Sequence, residues 1–194
     1  MLHQSETESL PAPTYDPVIE RLLRARTIII SGEITQRLAA TVSSQLLALA
    51  AESDADITIF LNSQGGHVEA GDTIHDLIRF IRPKTRMIGT GWVASAGTHV
   101  FLAPPKERRV CLPNTRFMIH QPAGGAGGAA SDIAIQAKEI IKTRERIARV
   151  IAKQTGQDLQ KVLTDMERDY WMNPQEAIDY GIVSRIIEKQ QELS

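Results

Sequence analysis

Short runs of β-branched residues alternate with longer stretches of helical period, and this alternation leaves the chain few architectures. Residues 27–31 (TIIIS), 57–61 (ITIFL) and 86–91 (RMIGTG) have strand length and largely strand composition. Between them, residues 35–52 place Leu38, Val42, Leu46 and Leu49 on one stripe, and residues 68–81 do the same with Ile74, Leu77, Ile78 and Ile81. Strands separated by helices pair in parallel through right-handed crossovers, so the pattern predicts an α/β fold whose sheet is covered by helices. Asp16-Pro17 is a cap-and-proline signal opening a short helix to about residue 24, and residues 94–102 read as a short apolar helix. Residues 110–112 and 116–119 supply two more strands. After the glycine-rich stretch 123–130, Ser131 and Asp132 are expected to cap a long helix to about residue 153. A shorter helix over 157–166 precedes a last one over 174–180, which Gly181 stops, leaving 182–187 as the final strand.

Composition adds exclusions. At 194 residues the chain is long enough to bury one core without a metal or disulfide. Residues 1–14 are polar, carry two prolines and are expected to form a flexible arm, with a single domain over 15–194. A net charge of −1 lacks the basic excess that phosphate neutralisation requires, which excludes nucleic acid as the expected partner. The single Cys111 excludes an internal disulfide and fits a buried thiol in a reducing compartment. The uncharged run 87–105 is long enough to raise the question of a membrane span, but its glycines, prolines, Ser95, Thr98 and His99 argue against one. With no export signal visible at the N-terminus, a cytoplasmic location is expected.

Ligands of parallel sheets bind beyond the carboxyl ends of the strands. Three such ends carry chemistry: NSQGG at 62–66, VASAG at 93–97 and MIHQP at 118–122. Ser95 would open a helix of small residues, where free amides face a developing anion. His120 could accept the serine proton, and exposed glycine amides at Gly65 and Gly66 could bind an oxyanion or a peptide backbone. A third group must hold the imidazole, and Asp132, Asp165, Asp169 and Asp179 are candidates; Asp169, beside YWM at 170–172, is best placed for burial against it. Each segment alone also has an ordinary explanation: a helix cap, a strand-end histidine, a glycine turn. His3, His67, His75 and His99 show no metal-ligand spacing, so neither metal nor cofactor is expected.

Taken together, LNSQGG at 61–66, ASAG at 94–97, CLPNTRFMIHQP at 111–122, ERD at 167–169 and EAIDYGIV at 176–183 resemble the proteolytic subunits of the Clp protease family, over about residues 17–188. The resemblance implies a Clp/crotonase-like spiral of β-β-α units with a projecting handle, a helix plus a Gly-rich strand, at about 123–153. It implies a serine endopeptidase with Ser95 as nucleophile, His120 as base and Asp169 as orienting carboxylate, and the amides of Gly66 and Ala96 as oxyanion hole. It further implies self-association into stacked heptameric rings, a tetradecamer with Glu167 and Arg168 at the ring–ring contact, enclosing a chamber that an AAA+ ATPase feeds with unfolded polypeptide for protein quality control.

Departures accompany the match. Gln64 replaces the family's usual proline, Trp92-Val93 replaces smaller residues, Ala96 stands where methionine is common, and Thr98-His99 adds polarity. Trp92 would either narrow the substrate pocket or join the core. Residues 5–14 align poorly with the family's axial loop, which points to a second paralogue in a mixed ring. Two alternatives follow: a conditionally active or non-catalytic partner subunit, and an acyl-CoA hydratase or isomerase of the related crotonase type.

Overall fold

Local sequence signals set the first elements of the computed structural model, which describes residues 16–125 and 127–193. The expected arm over 1–14 lies outside the described residues. Helix α1 (Pro17–Arg24) begins where the Asp16 carboxylate accepts the amides of Val18 and Ile19, with proline at the first turn. Strand β1 (Thr27–Ser31) follows, then α2 (Gln36–Glu52), capped by the Thr35 hydroxyl on the Leu38 amide at 3.1 Å. The buried stripe of α2 is Ala39, Val42, Leu46 and Leu49; Leu38, expected on it, is only partly buried at its margin. Each fully buried aliphatic side chain contributes about 1.5–3 kcal/mol, so such a stripe fixes how the helix lies on the sheet.

Next come β2 (Ile57–Ser63), α3 (Val68–Phe80), β3 (Thr85–Ala94) and α4 (Ala96–Phe101). They are followed by β4 (Arg109–Cys111), β5 (Arg116–Ile119), α5 (Ala130–Thr155) and α6 (Leu159–Asp165). The chain closes with β6 (Tyr170–Met172), α7 (Pro174–Tyr180) and β7 (Arg185–Ile186). The sheet runs β1-β2-β3-β4-β7, all parallel, as the alternation predicts.

Strand β3 is longer than expected and forks. Met87–Gly89 pairs with β4 and Trp92–Ala94 with β5, with Gly91 between them at φ +59°. A Cβ at Gly91 would come within 2.6 Å of Asn62 Oδ1, and that oxygen accepts the Trp92 amide at 3.2 Å. The Asn62 side chain thus stands in for a ladder bond where the β2–β3 register shifts, and the strand continues past its glycines. Strand β5 also pairs with β6, the one antiparallel contact among the described strands.

Three further expectations are corrected. Ser131 and Asp132 do not cap α5; they lie inside its first turn, and Ala129 takes the cap position without a side-chain bond. The final strand covers only Arg185–Ile186, because Ile182 and Val183 donate their amides to Ala177 O and are spent closing α7 after Gly181. The glycine-rich stretch forms no strand among its described residues.

Most of the core is one continuous cluster between sheet and helices, with Ile30, Ile34, Leu46, Ile59, Leu61 and Phe101 fully enclosed. Cys111 is buried in it, and burial pushes its thiol up to about 12. Arg109 is enclosed as well: its Nη2 donates to Gln154 O at 2.7 Å near the C-terminus of α5 and lies 3.4 Å from Gly181 O, the cap of α7. A cation is favoured at both sites by the helix dipoles, although burial draws its pKa down to about 10. No helix among the described residues is long and apolar enough to cross a membrane, and the run 87–105 is divided among β3, α4 and the turns that follow each of them.

Candidate active site

The two pairings of β5 bring the predicted residues together. In the antiparallel β5–β6 ladder Phe117 faces Met172, Met118 faces Trp171 and Ile119 faces Tyr170. One step further along this register, His120 meets Asp169. In the parallel β3–β5 ladder Ala94 faces Met118, so the next residue, Ser95, emerges beside the same strand end, its amide on Met118 O at 3.0 Å. His120 Nδ1 lies 3.0 Å from Asp169 Oδ1, and His120 Nε2 lies 2.7 Å from Ser95 Oγ. With the proton on Nδ1, the ring donates to Asp169 and accepts from the Ser95 hydroxyl, so both contacts are hydrogen bonds of one tautomer.

Ser95 has φ +55°, a left-handed conformation costly for any residue with a Cβ. The turn holding it is pinned by Thr98, whose buried hydroxyl lies 2.8 Å from Val93 O and 2.7 Å from Met118 O. Gly65, at φ +104°, leaves no room for a side chain: its Cβ would fall 2.6 Å from Ser95 Cβ. Gly66 closes on the backbone of Ile34 through an isolated parallel bridge. The hydrogen bonds of that bridge belong to its neighbours, with Ile34 N donating to Gly65 O and His67 N to Ile34 O. The Gly66 N–H therefore points away from the bridge. As the first residue of α4, Ala96 carries an amide with no acceptor inside its helix.

Among the four aspartates, Asp169 reaches the imidazole. Asp165 instead accepts from Lys161 and the Tyr180 hydroxyl, Asp179 accepts from Gln175, and Asp132 sits in the first turn of α5. Asp169 is not buried as expected: its side chain is 59 % exposed, against 26 % for His120. Its loop is fixed by two bonds from Gln121, the amide to Met166 O and Nε2 to Glu167 O. Glu167 lies 3.8 Å from Arg144, and Arg168 is exposed beside Asp169. Neither expected place for Trp92 is found. It is 45 % exposed and stacks on Trp171, over which Arg116 lies at 4.3 Å.

Sequence reasoning marks Thr98-His99 as added polarity but misses what His99 joins behind Ser95. His99, one helical turn after Ser95, is buried and donates through Nε2 to Asp72 Oδ1 at 3.0 Å. Asp72 also takes a two-point grip from Arg146 at 2.7 and 2.7 Å. Burial alone would raise the Asp72 carboxyl, but the bonds from His99 and Arg146 outweigh it and hold the group well below the carboxylate range. His75 stacks 4.5 Å from His99, and burial together with the nearby cations pulls its pKa down to about 3. The i, i+3 spacing of Asp72 and His75 was the available signal, though nothing in the sequence ties it to α4. A cavity of about 30 Å³ adjoins Ser95 and His120, walled by Val68, Ala96, His99, Ile119, Ile147 and Ile151.

The Clp protease family model matches residues 12–190. The chain is 60 % identical to ATP-dependent Clp protease proteolytic subunit 3 of Rhizobium johnstonii, over 89 % of each chain. It is 55 % identical to proteolytic subunit 2 of Gluconobacter oxydans, over 89 % of this chain and 78 % of that one. Among solved structures, ClpP1 from Listeria monocytogenes superposes with a TM-score of 0.83 at 54 % identity, covering 91 % of this chain and 99 % of the other. With the fold, the extent of the match and the identity in agreement, the chain belongs to the Clp protease family of serine endopeptidases.

Proposed function

We propose that the chain is a proteolytic subunit that hydrolyses peptide bonds through Ser95, His120 and Asp169. The observation that carries this reading is the imidazole bonded on one side to a strained serine and on the other to a carboxylate. His120 Nε2 takes the hydroxyl proton as Ser95 Oγ bonds to the substrate carbonyl carbon. The oxyanion is received by the amides of Gly66 and Ala96, and Asp169 offsets the imidazolium charge. The proton then passes from Nε2 to the leaving amine as the C–N bond breaks. Water, deprotonated by the same nitrogen, attacks the acyl-serine and releases the acid. A small fluorophosphonate probe should label the native protein and leave Ser95→Ala unlabelled; equal labelling of both would refute the assignment.

The same reading extends to assembly. Stacked heptameric rings, joined near Glu167 and Arg168 by α5 and the stretch 123–130, would enclose these sites, and an AAA+ ATPase would deliver unfolded chains to them in the cytoplasm. The exposure of Asp169 and Arg168 at one end of the single chain supports a contact there. A mixed ring with a second proteolytic subunit is the other assembly to test, since relatives are numbered as subunits 2 and 3. Native mass and probe labelling, alone and with a companion subunit, separate homomeric, mixed and non-catalytic states.

A further inference from the structure

The cavity beside Ser95 is small and its walls are tied together. It measures about 30 Å³, against about 320 Å³ for the neighbouring cleft at Gly66 and Glu139. Cavities that take whole small-molecule ligands measure about 300–1,000 Å³, so this one is sized for a small group. The side chain of a scissile-bond residue starts two bonds from the attacked carbonyl, so a cavity sharing Ser95, Ala96 and His120 is the one it can enter.

His99 forms one wall and cannot swing aside freely. Its Nε2 is held by Asp72, and Asp72 is held by Arg146 of α5, the residue next to the opposing wall residue Ile147. His75 closes against the ring from α3. His99 Nδ1 is buried without a partner among the described residues, as is His75 Nδ1. The unpaired Nδ1 is a cost to the fold that the Nε2–Asp72 bond offsets, and the same bond holds the ring in one position against the cavity. The ring is thereby a stiff wall of fixed size.

We infer that His99 is a specificity-determining residue that restricts the acyl-side residue of the scissile bond to small side chains such as alanine or serine. The inference rests on the assignment of Ser95 as nucleophile. Leucine brings four side-chain carbons, which would require His99 or Ile147 to move and strain the Asp72–Arg146 tie. Pocket discrimination between side chains differing by a methylene or two reaches about 10–200-fold.

The test uses the full chain in its assembled form, with the nucleophile of any required companion subunit removed. Peptides differing only in the residue before the scissile bond (alanine, serine, leucine, phenylalanine) are compared by kcat/KM, alongside fluorophosphonate labelling. The wild type should favour alanine over leucine at least tenfold, and His99→Ala should move that ratio at least tenfold toward leucine while retaining labelling. His99→Asn, which keeps a donor toward Asp72 on a shorter stem, should move it the same way and carries the test should His99→Ala fail to fold. A wild type that cleaves leucine or phenylalanine as well as alanine, or an unchanged ratio in a labelled variant, overturns the inference alone. A wild type that the probe does not label overturns it together with the assignment of Ser95.

Discussion

A Cβ added at Gly65 would lie 2.6 Å from Ser95 Cβ and 3.1 Å from its Oγ, on a backbone already at φ +104°. The glycine is needed there for space as much as for conformation. Gly65→Ala should therefore lower kcat/KM by about two orders of magnitude or more, since a displacement of about 1 Å at the reacting atoms has that effect. Circular dichroism should remain that of the wild type, and full activity in a folded Gly65→Ala variant would contradict the geometry. Asp169 makes a different kind of contribution. Asp169→Asn preserves the side chain's shape but favours the wrong imidazole tautomer, so kcat should fall by about 10⁴ with little change in KM. Steady-state kinetics on the assembled protein checks both.

At the scale of elements, α3, α4 and α5 meet at a polar cluster rather than an apolar one. His75 is held neutral in the fold, its pKa lowered from 6.5 to about 3. The unfolded chain therefore binds a proton that the folded chain refuses across that range. Stability from this group is complete above about pH 6.5 and declines as pH falls toward 3, by up to about 1.4 kcal/mol per pH unit. Asp72, held below its ordinary range, adds loss of the same sign below about pH 4, where the unfolded carboxyl protonates first. Denaturant melts of the wild type should weaken between pH 7 and 5, and His75→Asn should flatten that decline. Parallel declines in the two proteins would remove His75 as its source.

The elements themselves were largely legible in the sequence. The cap at Asp16 and the stop at Gly181 act within one turn, so local reading finds them. The stretch of β3 beyond Gly91 was not legible, because the Asn62 side chain that carries the strand across lies 30 residues away. The same limit applies to the site. Ser95, His120 and Asp169 could be named from short motifs, but the exposure of Asp169, the stacking of Trp92 on Trp171 and the Asp72–His99–Arg146 tie depend on how separate elements dock.

For the whole molecule, the hydrogen-bonded line Ser95–His120–Asp169 of the single chain ends at an exposed carboxylate. Arg168 precedes Asp169 directly, and Glu167 before it lends its carbonyl to Gln121 next to His120. Whatever binds Arg168 in an assembly thus acts on the loop that orients the imidazole. On the proposed double-ring assembly, Arg168→Ala should reduce the native mass to that of a single ring and lower peptidase activity at least tenfold; a single ring with full activity would uncouple the two. Cys111 offers an independent measure of the same molecule. It is the chain's one thiol, enclosed in the sheet and held protonated to about pH 12. A thiolate reagent can reach it only when β4 separates from β3 and β7. Its alkylation rate consequently times the opening of the central sheet, with no introduced label and without touching the serine chemistry.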